Sequence, residues 1–434
     1  MFEPVPILQQ LIRLDTTNPP GNEAAAVHLV KDLVEASGID AAVYAKDPSR
    51  PNLVARVPGT GDAPPLLLQG HVDVVPTTGQ RWEHGPFSGD LVDGFVWGRG
   101  ALDMKGPVVM MTHALARLAE SGRRPAGDIL LCVLSDEENR GDYGARFLVE
   151  EHSDLFAGVR YCIGEFGGFP FPIGGTTFYP IQVAERVGVE FRLVIRGEGG
   201  HGSLPRRGAT PAKLGKMLVA LDRKRMPVHL VPATRMMIEG MADHTTGMVR
   251  GALRSLLDPR RAGTVLRLLD SRLGALQPLF RNTVSVTVIH GGDKPNVIPA
   301  EIEVILDGRM LPGSTPAQML AELRAIVGPE PEITYRVDAE PGPDEPDLGL
   351  FDLLAAAVRA AQPDAVPVPF LMPAVTDGRW FARLGIQPYG FTPLPLPAGF
   401  DFQSVVHAAD ERVPAAAIER GAGIVYDLLT RYPG

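Results

Sequence analysis

Cysteine is scarce in this chain. Only Cys132 and Cys162 are present among 434 residues, each in an apolar, strand-like context. Two such thiols are too few for a disulfide-built scaffold, and they suit a reduced, cytosolic protein. No apolar run is long enough to span a membrane. The first stretch, MFEPVPILQQLIRLDTTNPPGNE, has neither the basic region nor the long apolar run of a signal peptide; it reads as an amphipathic helix followed by a Pro/Gly turn, and a cytoplasmic location is expected. A Lys/Arg-rich run is also missing and the formal net charge is −9, which argues against nucleic acid as a partner. Internal repeats and low-complexity tracts are absent. What remains, 45% hydrophobic, has a globular composition. Its length exceeds one ordinary core, so two domains are expected.

The first part alternates between helix and strand patterns. AAAVHLVKDLVEASG and GPVVMMTHALARLAESG read as helices; NLVARVPG, PPLLLQGH and DILLCVLSDEE read as strands. This predicts an α/β domain with a mainly parallel sheet flanked by helices. The pattern changes near Ala184. From there the order is strand, helix, strand, strand, helix, strand, and both helices open on Thr-Pro. A small ferredoxin-like α+β domain is therefore expected at 184–341, inserted into a domain formed by 1–183 and 342–434. An extra segment at about 226–281, rich in Leu, Met and Arg, is expected to be helical and to cover a site or form an interface. AEPGPDEPD reads as the linker.

Buried strands in α/β sheets deliver ligand-binding groups at their carboxyl ends. PPLLLQGHVD puts His71 and Asp73 at such an end, where both are expensive to bury. Taken alone, a capped turn explains the pair as well. Asp103, after a Gly-rich turn in WGRGALDMKG, reads equally as a helix N-cap. The glycine spacing there fits neither a dinucleotide nor a Walker fingerprint, and an Asp beside phosphate would repel it. Asp136, Glu137 and Glu138 close another strand. Alternation along an extended piece lets one carboxylate face a metal while its neighbour faces water. Glu165 in YCIGEFGG and His407 in FQSVVHAADERVP complete the set. Each has a bland explanation, but together they gather Asp, Glu and His at what is expected to be one edge of one sheet. Such like charges repel unless cations neutralise them. The mixed N/O donors suit Zn²⁺, with Co²⁺ or Mn²⁺ as alternatives; the strand end looks built to hold a metal, and two metals bridged by one carboxylate form a known hydrolytic device.

GHVDVVP, WGRGALDMKG, SDEE, IGEFGG and VVHAADERV resemble, in order, the motifs of the di-zinc aminoacylase / carboxypeptidase / succinyl-diaminopimelate desuccinylase family. NPPGNE and TDGRWFARLGIQPYGF are similar to further family segments, so the resemblance covers nearly the whole chain. It implies that Asp103 bridges two metals, that His71 and Glu165 complete one site, and that Glu138 and His407 complete the other. It further implies Glu137 as general base on the bridging water, Asp73 as the partner of His71, and a cis peptide at Asp103–Met104. In the inserted domain, His201 resembles a lid histidine that stabilises the tetrahedral intermediate, often in the partner subunit of a dimer. Asn296 and Arg309 resemble substrate contacts, Arg309 for a terminal carboxylate, although a surface ion pair explains it as readily. Gly378 resembles a position where backbone meets substrate; an ordinary turn glycine is the bland alternative. The long extra segment is similar to the carboxypeptidase S and N-acyl amino acid hydrolase branch, where its apolar residues would line a pocket for a hydrophobic group.

The leading expectation is a hydrolase that cleaves an amide next to a free carboxylate, in short peptides or N-acyl amino acids. A deacylase of an acetylornithine- or succinyl-diaminopimelate-type intermediate is the alternative. A metal-free binding protein on the same fold ranks below both, because every ligand position and the base are present.

Overall fold

The computed structural model describes residues 1–268, 274–339 and 342–432. The chain forms two compact units. One comprises Met1–Val183, Pro346–Phe370 and Thr376–Gly434; the other comprises Ala184–Glu345 and Leu371–Val375.

In chain order the strands of the first part are β1 (Asp40–Tyr44), β2 (Asn52–Val57), β3 (Leu66–His71), β4 (Leu91–Val92), β5 (Phe95–Trp97), β6 (Ile129–Leu134), β7 (Tyr161–Gly164), β8 (Phe171–Ile173) and β9 (Thr176–Glu185). Then come β10 (Val187–Arg196), β11 (Gly200–His201), β12 (Thr283–His290), β13 (Val297–Ile298), β14 (Glu301–Met310) and β15 (Glu332–Val337). The last three are β16 (Val366–Met372), β17 (Gln387–Gly390) and β18 (Arg412–Pro414).

The large sheet runs β1-β2-β6-β3-β7-β17-β9-β16, with β8 paired to β9. Its parallel character is concentrated in four central strands, since β6, β3, β7 and β17 pair in parallel. The outer pairings β1–β2, β2–β6, β17–β9 and β8–β9 are antiparallel. The central strands are covered on both faces and therefore read as unbroken apolar runs: every residue of β3 and β6 is buried. Each buried Leu, Ile or Val there contributes about 1.5–3 kcal/mol relative to exposure. Helix Lys105–Glu120 packs against the C-terminal helix Ala415–Arg431 and also touches β3. Gly70 permits that approach, because a Cβ at this position would sit 2.7 Å from the Met104 methyl and 2.9 Å from Val108 Cγ2. The turn that carries Asp103 can thus lie over the end of β3.

Asp103 and His407 do not arrive on strands of the large sheet, contrary to the expectation of a single shared edge. They come from a small three-stranded sheet, β18-β5-β4. There Trp97 pairs with Arg412 and Val96 with Val413, and Gly98 N–H donates to Glu411 O at 2.9 Å. A pairing across more than 300 residues brings the two turns together, which no local pattern announces.

In the second unit a four-stranded antiparallel sheet has the order β12-β14-β10-β15. Helices Thr210–Arg223 and Pro316–Val327 follow β10 and β14. The second helix starts at a capping box: Thr315 Oγ accepts from Gln318 N, and Gln318 Oε1 accepts from Thr315 N. β14 alternates strictly between buried and less buried residues, the period expected of a one-faced sheet. Phe191, Leu193, Val304, Leu306, Met217 and Met319 form its core. The extra segment contains helices Pro232–Asp243, Gly247–Leu256 and Pro259–Leu268. Its Met237, Ile238, Met241, Leu253, Leu256 and Leu266 are buried, so the Leu/Met richness serves packing. Residues 269–273 of this segment, and 340–341 of the expected linker, lie outside the described residues, as do 433–434.

Candidate metal centre and active site

Three strands of the central sheet end at the cluster. β3 delivers His71, β6 leads into Asp136, Glu137 and Glu138, and β7 leads into Glu165. His71 Nε2 lies 3.2 Å from Asp103 Oδ1 and 3.5 Å from Glu165 Oε2. His407 Nε2 lies 3.0 Å from Asp103 Oδ2 and 3.3 Å from Glu138 Oε1. Each oxygen of Asp103 therefore faces a different imidazole. Ligand atoms of His71, Asp103 and Glu138, and separately of His71, Glu137 and Glu165, all lie within 4.8 Å of one another. Glu138 Oε1 is buried and its contact with His407 lacks hydrogen-bond geometry, leaving that oxygen without a donor among the described residues. Hard oxygen donors, two imidazoles and a buried carboxylate oxygen that accepts no hydrogen bond among the described residues fit divalent cations.

The charges inside the cluster are mutually dependent. Burial alone would raise the pKa of Asp103, but hydrogen bonds from His407 and His71 hold it far below the usual carboxylate range. Burial pushes Glu138 up to about 7 and raises Glu137 as well. Glu165 is pushed well up by burial and by the neighbouring Glu137. His407 rises to about 10 beside Asp103 and Glu138. His71 is raised despite its burial, by Asp103, Asp73 and Glu165. Protons shared in this way do what bound cations would do, since so many close carboxylates cannot all ionise unaided.

A surrounding network fixes the cluster. His71 Nδ1 is 3.0 Å from the carbonyl oxygen of Asp73 and 3.5 Å from its Oδ1. The fully buried Asp73 carboxylate also accepts from Glu137 N and Glu138 N, both at 3.1 Å, and from Asn18 Nδ2 at 2.8 Å. It thus ties the end of β3 to the turn that follows β6. Asn18 also donates to Asp136 Oδ1 at 2.9 Å, and Arg50 lies 3.0 Å from the same oxygen. Glu411 accepts from Leu102 N at 2.9 Å and Asp103 N at 3.2 Å, while its other oxygen meets Arg99 Nη1 at 2.6 Å. Arg99 donates to Gln80, and Gln80 donates to the carbonyl of His407 at 2.9 Å. Asp136 (φ 67°), Phe166 (φ 67°) and His407 (φ 60°) are non-glycine residues in the left-handed region, each at or next to a cluster residue. Such conformations cost roughly 1–3 kcal/mol each and persist where the surroundings impose them. The Asp103–Met104 peptide is cis, as expected.

Sequence reasoning missed Asn18, Arg99, Glu411 and Arg379. All four lie inside quoted motifs, NPPGNE, WGRGALDMKG, VVHAADERV and TDGRWFARLGIQPYGF, and their place there was the available signal. Arg379 is buried, with Nη1 2.7 Å from Thr376 O and 3.5 Å from Glu137 Oε1. Asp377 is also buried, and neither of its oxygens accepts a hydrogen bond among the described residues. Gly378 N donates to Thr376 Oγ at 3.0 Å, and a Cβ there would lie 2.9 Å from Pro388. Packing against Pro388 thus leaves little room for a side chain at this position.

His201, Asn296 and Arg309 belong to the second unit. β11 pairs with β13, His201 opposite Val297, and Gly202 N donates to Asn296 O at 2.7 Å, so the first two are neighbours. His201 is exposed, with Nδ1 2.7 Å from Ser203 Oγ. Arg309 lies 3.1 Å from Asp307 on its own strand, so in this structure it forms an ion pair.

An α/β unit with imidazoles and carboxylates gathered where its parallel strands end has the architecture of a metal-dependent hydrolase. The chain belongs to the peptidase family M20/M25/M40, whose model matches residues 67–431. It is a hydrolase of the metallopeptidase and aminoacylase type. Among curated relatives, a probable carboxypeptidase S-like protein of Dictyostelium discoideum is 27% identical over 84% of this chain and 71% of its own length. The mouse N-fatty-acyl-amino acid synthase/hydrolase PM20D1 is 27% identical over 84% and 73%. A succinyl-diaminopimelate desuccinylase of Gluconacetobacter diazotrophicus is 26% identical over 99% and 96%. The crystal structure of an M20 metallo-carboxypeptidase from Sulfolobus solfataricus covers all of both chains with a TM-score of 0.69 at 18% identity. A Bacillus subtilis M20 peptidase described as binding a dinuclear metal matches with a TM-score of 0.58 at 14% identity, over 98% of this chain and 96% of its own. At these identities the two structures speak for the fold. Among the described residues no helix is long and apolar enough to cross a membrane.

Proposed function

We propose that this protein hydrolyses an amide bond next to a free carboxylate, in N-acyl amino acids or short peptides, with two divalent metal ions. Zn²⁺ suits the donors best, and Co²⁺ or Mn²⁺ would also suit them. His71 and Glu165 would hold one ion, Glu138 and His407 the other, and Asp103 both. The observation that carries this reading is the pair of Asp103 oxygens, one beside each imidazole. When bound, the ions would acidify water and polarise the scissile carbonyl.

The chain's own residues do the rest. Glu137 takes a proton from the attacking water and delivers it to the leaving nitrogen. Its burial raises its pKa, which suits a group that must hold a proton in mid-reaction. Asp73 fixes the ring of His71 and the backbone of Glu137 and Glu138. His201 is assigned to the tetrahedral intermediate, and Asn296, Arg309 and Gly378 to substrate binding. For Arg309 this requires exchanging Asp307 for a substrate carboxylate. The division into a catalytic domain and an inserted domain at 184–341, a homodimer formed through the latter, and a cytoplasmic location complete the proposal. The two buried free cysteines suit a reducing compartment.

The carboxypeptidase S-like and N-fatty-acyl-amino acid relatives favour peptides and N-acyl amino acids. The desuccinylase relative, matched over 96% of its length, supports deacylation of a biosynthetic intermediate as the second reading. Zinc-loaded protein offered a mixed panel of dipeptides, N-acyl amino acids and succinylated diamino acids decides between them. Amino-acid release abolished by a chelator supports the proposal, and the identity of the hits separates the readings. Silence across the panel from protein holding two ions per chain would contradict it.

A further inference from the structure

Arg379 is a permanent cation with a side chain only 8% exposed, beside a Glu137 side chain that is 10% exposed. Burying such a charge is costly unless it is paired. Asp377, two residues earlier and more deeply buried, accepts no hydrogen bond from it or from any other described residue. The guanidinium is held instead by Thr376 O at 2.7 Å, with the Trp380 ring centroid 5.4 Å from its central carbon. From that position Nη1 lies 3.5 Å from Glu137 Oε1. This distance is at the outer limit of a hydrogen bond. Such a contact orients a carboxylate without locking it, which a group that must accept and pass on a proton requires.

We infer that Arg379 is a positioning residue for Glu137. Its short helix, Gly378–Ala382, presents a rigid buried cation that sets where the base's carboxylate sits. The inference rests on the proposed role of Glu137, so its test has two independent arms. In the kinetic arm, Arg379→Gln should lower kcat about 100-fold, the cost of misplacing a reacting group by roughly 1 Å. KM should change little and both metal ions should be retained, and Arg379→Lys should recover part of the loss. A raised KM with kcat intact would overturn the inference, because Arg379 would then be a receptor for substrate carboxylate. The second arm needs no turnover. Urea-unfolding midpoints are measured for wild type, Arg379→Gln, Glu137→Gln and the double variant, with Arg379→Lys as substitute should Arg379→Gln not fold. If the two side chains are coupled, the loss caused by changing Arg379 shrinks in the Glu137→Gln background. Equal losses in both backgrounds overturn the inference. A wild type inactive on every amide would sink the functional reading, while the unfolding cycle would still decide this one.

Discussion

Replacing Asp73 by Asn exchanges one oxygen for an NH₂ and breaks a junction. The carboxylate takes hydrogen bonds from Asn18 Nδ2 and from the backbone N–H groups of Glu137 and Glu138, and it sits beside the His71 ring. All three bonded partners are donors. An amide can present only one acceptor oxygen, so its NH₂ must face a donor on the other side. Orphaning one buried N–H costs about 1–3 kcal/mol, a sizeable share of a stability of roughly 5–15 kcal/mol. Asp73→Ala would orphan both amides and cost about 2–6 kcal/mol by the same reckoning. Outer partners of metal-ligating histidines typically influence affinity about 10–100-fold, and Asp73→Asn should weaken zinc binding by that order. The assays are the urea-unfolding midpoint of metal-free protein and competitive zinc titration against a chromophoric chelator. Acid adds a signature. Burial alone would raise the pKa of Asp73, yet its contacts with His71, Asn18 and the backbone amide bring it below the ordinary 3.8. Its stabilisation is therefore complete above pH 3.8 and is lost as pH falls through the lower folded value, a loss the Asn variant should not show. A variant with wild-type midpoint, zinc affinity and acid limb would refute the reasoning.

Other outcomes follow from the same geometry. The raised pKa of His407, about 10 in the metal-free protein, means that its proton stabilises the fold fully below the ordinary 6.5 and stops doing so as pH rises through 10. Metal must displace that proton, so calorimetry in buffers of different ionisation enthalpy should show proton release at neutral pH and affinity rising with pH. Glu411→Ala leaves the buried Arg99 charge unpaired and frees the backbone of Asp103; chemical denaturation should report a loss of about 3–5 kcal/mol. Deleting the helices within 226–281 should change acyl preference or assembly, measured on the substrate panel and by light scattering; unchanged behaviour in both would remove the segment from the proposal.

Much of the cluster was legible because strand ends in α/β sheets are predictable places. Continuous apolar runs announced β3 and β6, and with them His71 and the acids after Leu134. The motif order then supplied roles for Asp103, Glu165 and His407. The sheet's mixed character was less visible, since β1, β2 and β9 lie at its margins and the alternation of helix and strand suggested parallel neighbours. The delivery of Asp103 and His407 by the β5–β18 pairing could not be read, because it joins segments more than 300 residues apart. For the same reason the roles of Asn18, Glu411 and Arg379 could not be read, although all three stand in quoted motifs: what each side chain does depends on the backbone or carboxylate it meets far along the chain. Arg309, given a substrate role by resemblance, pairs with Asp307 in the fold, the ion pair that was its other reading.

The most direct test compares zinc-loaded wild type with Glu137→Ala, counting bound metal and following amino-acid release in the same samples. Two ions per chain in both proteins, with release reduced by about 10²–10⁴-fold in the variant, is the predicted result. A Glu137→Ala protein that keeps its two ions and still turns over at the wild-type rate would contradict the account.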